Sequence, residues 1–241
     1  MEIYDTPFVT VTNCSFTNNT SFGVGKLRNS GNAGALSIGF NETFPNTTQP
    51  QIRIQDSRFE SNVASISGKC TMESAVLSSK VYTQRGGGLA GYFAAAGLEI
   101  NLVVERCVFE SNRAQDIGGA VYINLFGVNG AYANITFRAS DFSRNFATVD
   151  GGGIEVTFDS TESVHSPSFL LVQDCHFTRN RAKFGGAVKA VQISSQGNLN
   201  RVRVERSTFQ ENRAQVGAPM HLESFIAGLG TAVHVEQTKT G

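Results

Sequence analysis

The chain has 241 residues, of which 40% are hydrophobic and 17% charged, and it contains 25 glycines and 18 phenylalanines but no tryptophan. Twenty Lys and Arg residues balance twenty Asp and Glu residues, so no excess charge favours nucleic acid or an anionic membrane as a partner. Residues 1–10 lack the basic start and apolar run of a secretory signal, and no stretch is apolar for long enough to span a bilayer. We therefore expect no membrane span. Because both ends lie in repeat-like sequence, we expect a segment of a longer repeat protein.

Two short motifs alternate six times along the chain. The first motif is F-x-x-N, and it begins at Phe16, Phe59, Phe109, Phe142, Phe177 and Phe209. The second is a glycine-rich strand start, which begins at Ala33, Gly86, Gly118, Gly151 and Gly185, with a degenerate copy, VGAP, at Val216. The spacing defines a unit of about 33 residues, and the first two units carry insertions at 40–51 and 65–85.

In chain order, each unit opens with two apolar residues, seven and five positions before its Phe. These pairs are Val9/Val11, Ile52/Ile54, Leu102/Val104, Ile135/Phe137, Leu170/Val172 and Val202/Val204. Two positions before the Phe stand Cys14, Ser57, Cys107, Ser140, Cys175 and Ser207. Alternation predicts strands with these residues facing inward, and the change of parity before the Phe predicts a bend.

The Asn of F-x-x-N predicts a turn, because asparagine tolerates left-handed backbone and its side chain bonds nearby peptide groups. The glycines then open a third strand, as in GGAVYINLF from Gly118. The units lack the 3.6-residue periodicity of helical repeats. We predict an all-β fold, a right-handed single-stranded parallel β-helix of about six coils with three short strands per coil. Residues 1–241 would form one domain, with like residues stacked about 4.8 Å apart.

The segments FESNRAQDIGGAV (Phe109 to Val121) and FTRNRAKFGGAV (Phe177 to Val188) resemble the repeats of chlamydial polymorphic outer-membrane proteins. The resemblance runs over all six units, with a departure at VGAP and an interruption between Ser65 and Arg85. It implies a fold of the pectin-lyase-like type, display outside the cell or at its surface, and a role in adhesion. The membrane barrel of such autotransporters is not visible in this sequence.

The cysteines are predicted to be free thiols. Three of them share one inward position with serines between them, so Cys14 and Cys107 would lie about 9.6 Å apart, too far for a disulfide. Cys70 lies in the second insertion and is expected to be unpaired. Glycosylation sequons occur at Asn13, Asn18, Asn19, Asn41, Asn46 and Asn134. Asn19 is expected to be inaccessible as a ladder residue, whereas Asn41 and Asn46 are the candidate acceptors if the source is a secretory eukaryote. The alternative for the sequons is that Asn and Thr are common in β-helix turns.

Two sets of charged residues have more than one interpretation. Acidic polysaccharide binding and a solvated face with pairing between coils both explain the charged rows. These rows are Gln55-Asp56, Glu105-Arg106, Gln173-Asp174 and Glu205-Arg206 at the bend, and Arg113, Arg181 and Arg213 directly after ladder asparagines. Asp116 and Asp150 are the best carboxylate candidates for catalysis, but an Asp near a glycine turn is more often turn chemistry. The four histidines, at 165, 176, 221 and 234, are scattered.

The sequence therefore predicts a noncatalytic extracellular or cell-surface scaffold or adhesin without a cofactor, catalytic residues or a metal site. Its expected partners are adjacent β-helix repeats and a host or neighbouring cell-surface protein or glycan. Contact would be made through loops at 41–51, 65–85, 127–133 and 159–168. The alternative is a β-helix enzyme that binds or degrades polysaccharide as a lyase or hydrolase.

Overall fold

The computed structural model describes residues 1–23, 33–40, 49–66, 85–93, 99–128, 132–162, 168–194, 200–217, 220–226 and 234–238. Cys70, Asn41, Asn46 and His165 lie outside these ranges, as do most of the two insertions. Throughout the described ranges the regular structure consists of strands. Among them there is no helix long and apolar enough to cross a membrane.

The described strands form four parallel sheets. We number the sheets I to IV in the order in which the chain passes through them within one coil. Sheet I holds the apolar pairs. Its strands, in stacking order, are β2 (Phe8–Thr12), β6 (Gln51–Gln55), β10 (Glu99–Glu105), β14 (Tyr132–Arg138), β18 (Phe169–Gln173), β21 (Arg201–Glu205) and β24 (His234–Thr238). The predicted pairs share one register, since Ile52 lies opposite both Val9 and Leu102.

Sheet II holds the Phe ladder. Its strands are β3 (Ser15–Thr17), β7 (Arg58–Glu60), β11 (Val108–Glu110), β15 (Asp141–Ser143), β19 (His176–Thr178) and β22 (Thr208–Gln210). Consecutive rings stack with centroids 4.7–5.0 Å apart and planes within 9° of parallel. Phe59, Phe109, Phe142 and Phe177 are fully buried, which confirms the predicted stacked Phe core.

Sheet III is a short fourth sheet beside the three main strands of each coil. Its strands are β4 (Thr20–Gly23), β8 (Val63–Ile66), β12 (Arg113–Ala114) and β16 (Phe146–Ala147). Single bridges from Phe146 to Arg181 and from Arg181 to Arg213 continue it into the following coils. The recurrent Ala after F-x-x-N lies here.

Sheet IV begins after the glycine turn. Its strands are β1 (Glu2–Tyr4), β5 (Leu36–Phe40), β9 (Leu89–Phe93), β13 (Val121–Val128), β17 (Ile154–Glu162), β20 (Val188–Ser194) and β23 (Met220–Ile226). The turn needs glycine because coils approach closely there. A Cβ on Gly152 would lie 2.2 Å from the Gly186 carbonyl oxygen and 2.6 Å from the Arg181 nitrogen.

Besides the glycine of the turn before sheet IV, two left-handed residues turn the chain in each coil. The first set follows sheet I and comprises Asn13, Asp56, Arg106, Ala139, Asp174 and Arg206. The second set directly precedes the ladder asparagines and comprises Asn18, Ser61, Ser111, Arg144, Arg179 and Glu211. The predicted bend is therefore confirmed, but the assignment of left-handed backbone to the ladder Asn is wrong. The preceding residue makes the turn, which leaves the Asn backbone and side chain free to bond the adjacent coils.

The asparagines form a continuous hydrogen-bonded ladder inside this corner. Asn145 is fully buried, and its Oδ1 accepts hydrogen bonds from the backbone N–H and the Nδ2 of Asn112, at 2.9 and 3.1 Å. The Nδ2 of Asn145 donates to the Phe109 carbonyl and to Asn180 Oδ1, both at 2.9 Å. The ladder thus satisfies buried peptide groups that the turn would otherwise leave without partners.

These observations confirm the predicted parallel β-helix, with its three main strands per coil. Inward side chains from sheets I, II and IV form one continuous hydrophobic core. The single-domain organisation over 1–241 stays a prediction.

Candidate functional site

The charges at the bend after sheet I pair between adjacent coils. Arg106 donates to both carboxylate oxygens of Asp56, at 2.7 and 3.0 Å, and Arg206 does the same to Asp174, at 2.7 and 2.9 Å. The hydrogen bond from Arg106 lowers the pKa of Asp56 below its ordinary value. This row is therefore explained by pairing between coils, one of the two predicted interpretations.

The glutamates beside the bend are also paired. Glu105 is buried and accepts hydrogen bonds from Arg138 and, at 2.9 Å, from Gln55. The Arg138 hydrogen bond is the main cause that lowers the pKa of Glu105. Glu205 accepts a hydrogen bond from Gln173 at 2.8 Å and forms an ion pair with Arg203.

The next corner repeats this pattern. Glu110 forms ion pairs with Arg58, at 2.5 Å, and with Arg144. Arg179 donates to Glu211 at 2.6 Å. The arginines of these two corners therefore have carboxylate partners within the fold.

Sheet III differs, because its cations have no such partners. Arg181 and Arg213 are exposed and lie directly opposite each other on adjacent coils, and Lys183 is exposed two residues after Arg181. Among the residues that the structure describes, no carboxylate oxygen lies within 4.0 Å of these three cations. Like charges directly opposite each other destabilise a sheet, so an anion bound between them would relieve repulsion.

These three cations line one open groove of about 320 Å³, here called the arginine groove. Its remaining lining consists of Phe146, Ala147, Thr148, Ala182, Ala214 and Gln215. The alanines form a shallow floor between longer side chains, and Thr148 and Gln215 add hydrogen-bonding groups. On the preceding coil Arg113 lies over the Phe146 ring at 4.8 Å, which extends the basic row. Guanidinium forks and an ammonium group of this kind suit carboxylate, sulfate or phosphate groups.

A second groove, of about 440 Å³, lies on the outer face of sheet I. It includes Phe8, which is 67% exposed, together with Arg53 and Arg138. Both arginines form ion pairs with Glu105, so this groove offers less free positive charge than the arginine groove.

The two carboxylate candidates, Asp116 and Asp150, lie near a buried polar cluster on the outer face of sheet IV. Asp150 Oδ2 is 2.8 Å from Lys189 Nζ, and the neighbouring Glu155 is buried. Burial raises the pKa of Glu155 to about 8 and also raises the pKa of Asp116. The sequence analysis missed Glu155 and Lys189. Both occupy outward-facing positions in the alternating pattern of the third strand, and this pattern could have indicated them.

The cysteine position is a hydrogen-bonded slot. Cys107 and Cys175 are buried free thiols, and burial raises their pKa values to about 11 and about 12. The serine between them, Ser140, donates to the Arg138 carbonyl at 2.8 Å and accepts the Cys107 N–H at 3.1 Å. The prediction of buried free thiols is therefore confirmed for Cys107 and Cys175. Cys14 is only half-buried, because it lies in the first rung of the described ladder.

Other predicted positions are not brought together. Asn19 is exposed, which contradicts the expected inaccessibility, because among the described residues it has a ladder neighbour on one side only. Asn13 and Asn18 are also exposed, and Asn134 is half-buried. His176 bonds Thr208 at 2.7 Å, whereas His221 lies against Phe184. Within the described ranges, no group of three or more His, Cys, Asp or Glu residues could hold a metal ion.

The stacked sheets and internal ladders define a repeat protein of the parallel β-helix class. A family model described as the Chlamydia polymorphic membrane protein repeat matches residues 106–124, which run from the bend at Arg106 through β11 and the glycine turn into β13. Residues 106–124 therefore match a repeat of the chlamydial polymorphic membrane protein type, as the two motifs predicted. That family is associated with the outer membrane and the cell surface, which agrees coarsely with the predicted location.

The chain is also similar to a curated protein of Dictyostelium discoideum, the metabotropic glutamate receptor-like protein P. The two are 30% identical over 207 residues. The match covers 83% of this chain but spans only 12% of that relative. No solved structure matches the chain.

Proposed function

We propose that this segment is a noncatalytic β-helical adhesin module, displayed outside the cell, that binds an acidic glycan in the arginine groove. One observation carries the proposal. Arg181, Lys183 and Arg213 line a groove and have no carboxylate partner among the residues that the structure describes, whereas the arginines at the other two corners are paired within the fold.

The shape of the groove supports a polymer rather than a compact anion. Arg113, Arg181 and Arg213 follow one another along the row that runs across the coils, with Phe146 in the coil between the first two. Neighbouring coils are about 4.8 Å apart, so a row of cations at this spacing suits an extended chain with repeated carboxylate or sulfate groups. The aromatic ring of Phe146 offers an apolar face for a sugar ring.

Titration calorimetry with heparin-derived and polygalacturonate oligosaccharides tests this, with neutral dextran oligosaccharides as the ligand control. We expect the double variant Arg181→Gln/Arg213→Gln to lose at least about tenfold in affinity, because each arginine would lose a charge-assisted hydrogen bond. Affinity should also fall as salt rises. The matched control is Arg106→Gln/Arg206→Gln, which removes two arginines that are paired at the bend.

Equal losses in both double variants, or wild-type affinity in the groove variant, would contradict the groove assignment. The same preparations test the alternative of a polysaccharide-degrading enzyme, for which the buried carboxyl group of Glu155 and the half-buried ones of Asp116 and Asp150 are the supporting observation. Release of unsaturated or reducing ends that Glu155→Gln abolishes would favour that enzyme over an adhesin.

A further inference from the structure

The buried cluster on sheet IV joins an amine and a carboxyl group from adjacent coils. Lys189 lies on β20, and Asp150 lies in the turn before β17. Lys189 Nζ is 2.8 Å from Asp150 Oδ2, and the two side chains are only 6% and 16% exposed. The carboxyl carbon is one bond beyond that oxygen, so the amine and the carbon that it would attack are neighbours in the folded chain.

A third group stands beside this pair. Glu155 is directly opposite Lys189 in the register of β17 and β20, so the two side chains project from the same face of sheet IV. Glu155 is 3% exposed. Among the described residues, its Oε2 atom and Asp150 Oδ1 are buried and have no hydrogen-bond partner, so each carboxyl group keeps one oxygen that is not already bonded.

Two features of the surroundings act in opposite directions on the charge of Lys189. The Phe184 ring, 5.3 Å from Lys189 Nζ, attracts the charged amine, whereas the low exposure of Lys189, Asp150 and Glu155 disfavours ions. Burial disfavours charged forms and can convert an ion pair into a neutral amine and a neutral carboxylic acid. Burial also raises the pKa of Glu155 to about 8, with the charge of Asp150 as the next cause, so Glu155 is mostly protonated at neutral pH.

Other charged groups in this region act on the same carboxyls. The charges of Lys189 and Arg85 lower the pKa of Glu155, whereas that of Asp116 raises it. Arg85 also donates to the Tyr122 hydroxyl at 2.5 Å. The cluster is therefore a mixed set of charges, and Lys189 is the amine in contact with a carboxylate there.

We propose that Lys189 and Asp150 form an intramolecular amide bond, with Glu155 as the proton carrier. In the reaction, Lys189 Nζ first passes a proton to the Asp150 oxygen that it contacts, the lone pair of the resulting amine attacks Cγ, and a C–N bond forms. The former carbonyl oxygen takes the Glu155 proton, and the Glu155 carboxylate then takes a proton from Nζ. When the C–O bond breaks, the leaving hydroxyl takes a proton from Glu155 and departs as water, and the remaining hydroxyl returns its proton to Glu155 as the amide carbonyl forms.

The sum is one amine and one carboxylic acid giving one amide and one water, with Glu155 regenerated. The reaction needs no oxidant, cofactor or second protein. Its product would tie the turn before β17 to β20 on the adjacent coil by a covalent bond, so that the coils could not separate without breaking it. This inference is independent of glycan binding, since the arginine groove lies on sheet III.

Mass spectrometry of the purified full chain tests the proposal. We expect the denatured chain to be lighter than its sequence by one water molecule. After proteolysis, tandem spectra should show one branched peptide that joins Lys189 to Asp150. Lys189→Arg and Glu155→Gln should both restore the full mass, whereas the matched control Lys183→Arg should keep the loss.

The Asp150-Gly151 sequence supplies a competing explanation, because an aspartyl succinimide also forms with loss of water. A succinimide would persist in Lys189→Arg and would give no branched peptide, and that result would overturn the proposal. A wild-type chain at its full sequence mass would also overturn it. The branched peptide is sought in the wild-type chain, so the test does not depend on the folding of any variant.

Discussion

The hydrogen bonds of the Asn ladder lead to a quantitative prediction about the stability of the stacked coils. Replacing Asn145 with alanine removes one side chain from a fully buried position. Three groups then lose partners: the backbone N–H of Asn112, one Nδ2 hydrogen of Asn112, and the Phe109 carbonyl. Each buried polar group left without a partner costs about 1–3 kcal/mol, so we expect a loss of at least about 3 kcal/mol in the free energy of unfolding.

The first rung of the same ladder provides the control. Asn19 is exposed, and its Nδ2 and backbone N–H both donate to Asn62 Oδ1, at 2.8 and 3.0 Å. In Asn19→Ala the backbone donor stays, so no buried group is left without a partner. We expect this variant to lose less than about 1 kcal/mol.

Urea unfolding followed by circular dichroism would measure both variants. Since a solenoid can unfold in stages, the comparison should use the midpoint of the first transition together with its slope. A loss of at least 3 kcal/mol would be a large part of the roughly 5–15 kcal/mol typical of a domain. If Asn145→Ala and Asn19→Ala differ by less than about 0.5 kcal/mol, the ladder does not contribute as its geometry suggests.

Three other predictions follow from burial and close approach. Cys107 and Cys175, with pKa values raised to about 11 and about 12, should resist iodoacetamide at neutral pH until denaturant is added, as peptide mapping of the alkylated chain would show. Glu155 has a raised folded-state pKa of about 8, so the native state binds more protons than the unfolded state above pH 4.5. Its stabilising effect should be complete below that pH and be lost as pH rises towards 8, and Glu155→Gln should flatten the urea midpoint across this window. Gly152→Ala should lower the thermal midpoint, because the added Cβ would meet backbone atoms of two neighbouring residues at 2.2 and 2.6 Å.

Much of the fold could be predicted because every inward position is sampled six times. The register that places Val9, Ile52 and Leu102 in one row follows from alignment on the Phe alone. The left-handed position before the ladder Asn could not be found in this way, because residues as different as Ser111 and Arg144 occupy it. Hydrogen bonds between coils impose that conformation, and local sequence preference carries little trace of it.

The candidate site was only partly predictable. Arg181 and Arg213 were visible as a row, but whether such arginines are free depends on the nearest carboxylates, which other coils supply. The bend row contains arginines of the same kind, but there Arg106 is paired with Asp56 of the preceding coil. Only the distances in the folded structure distinguish an unpaired arginine from a paired one; the spacing of residues in the sequence does not.

The cluster of Asp150, Glu155 and Lys189 leads to a last prediction, because the ladders that specify the β-helix do not need it. Burying charged groups costs free energy that their pairing often only offsets, and the inward neighbours of Glu155 and Lys189, Ile154 and Val188, are ordinary apolar core residues. Conversion of the pair to an amide would remove both charges and close a chain loop of about 40 residues, which in the loop-entropy model stabilises by about 4 kcal/mol.

Lys189→Arg keeps the positive charge but cannot form this amide. Its unfolding free energy should therefore fall by up to about 4 kcal/mol relative to a wild-type chain that has lost water, as urea titration of the two proteins would show. If the two proteins are equally stable, the wild-type unfolded chain is no more restricted than that of the variant. In that case no covalent link joins the coils in the wild-type protein.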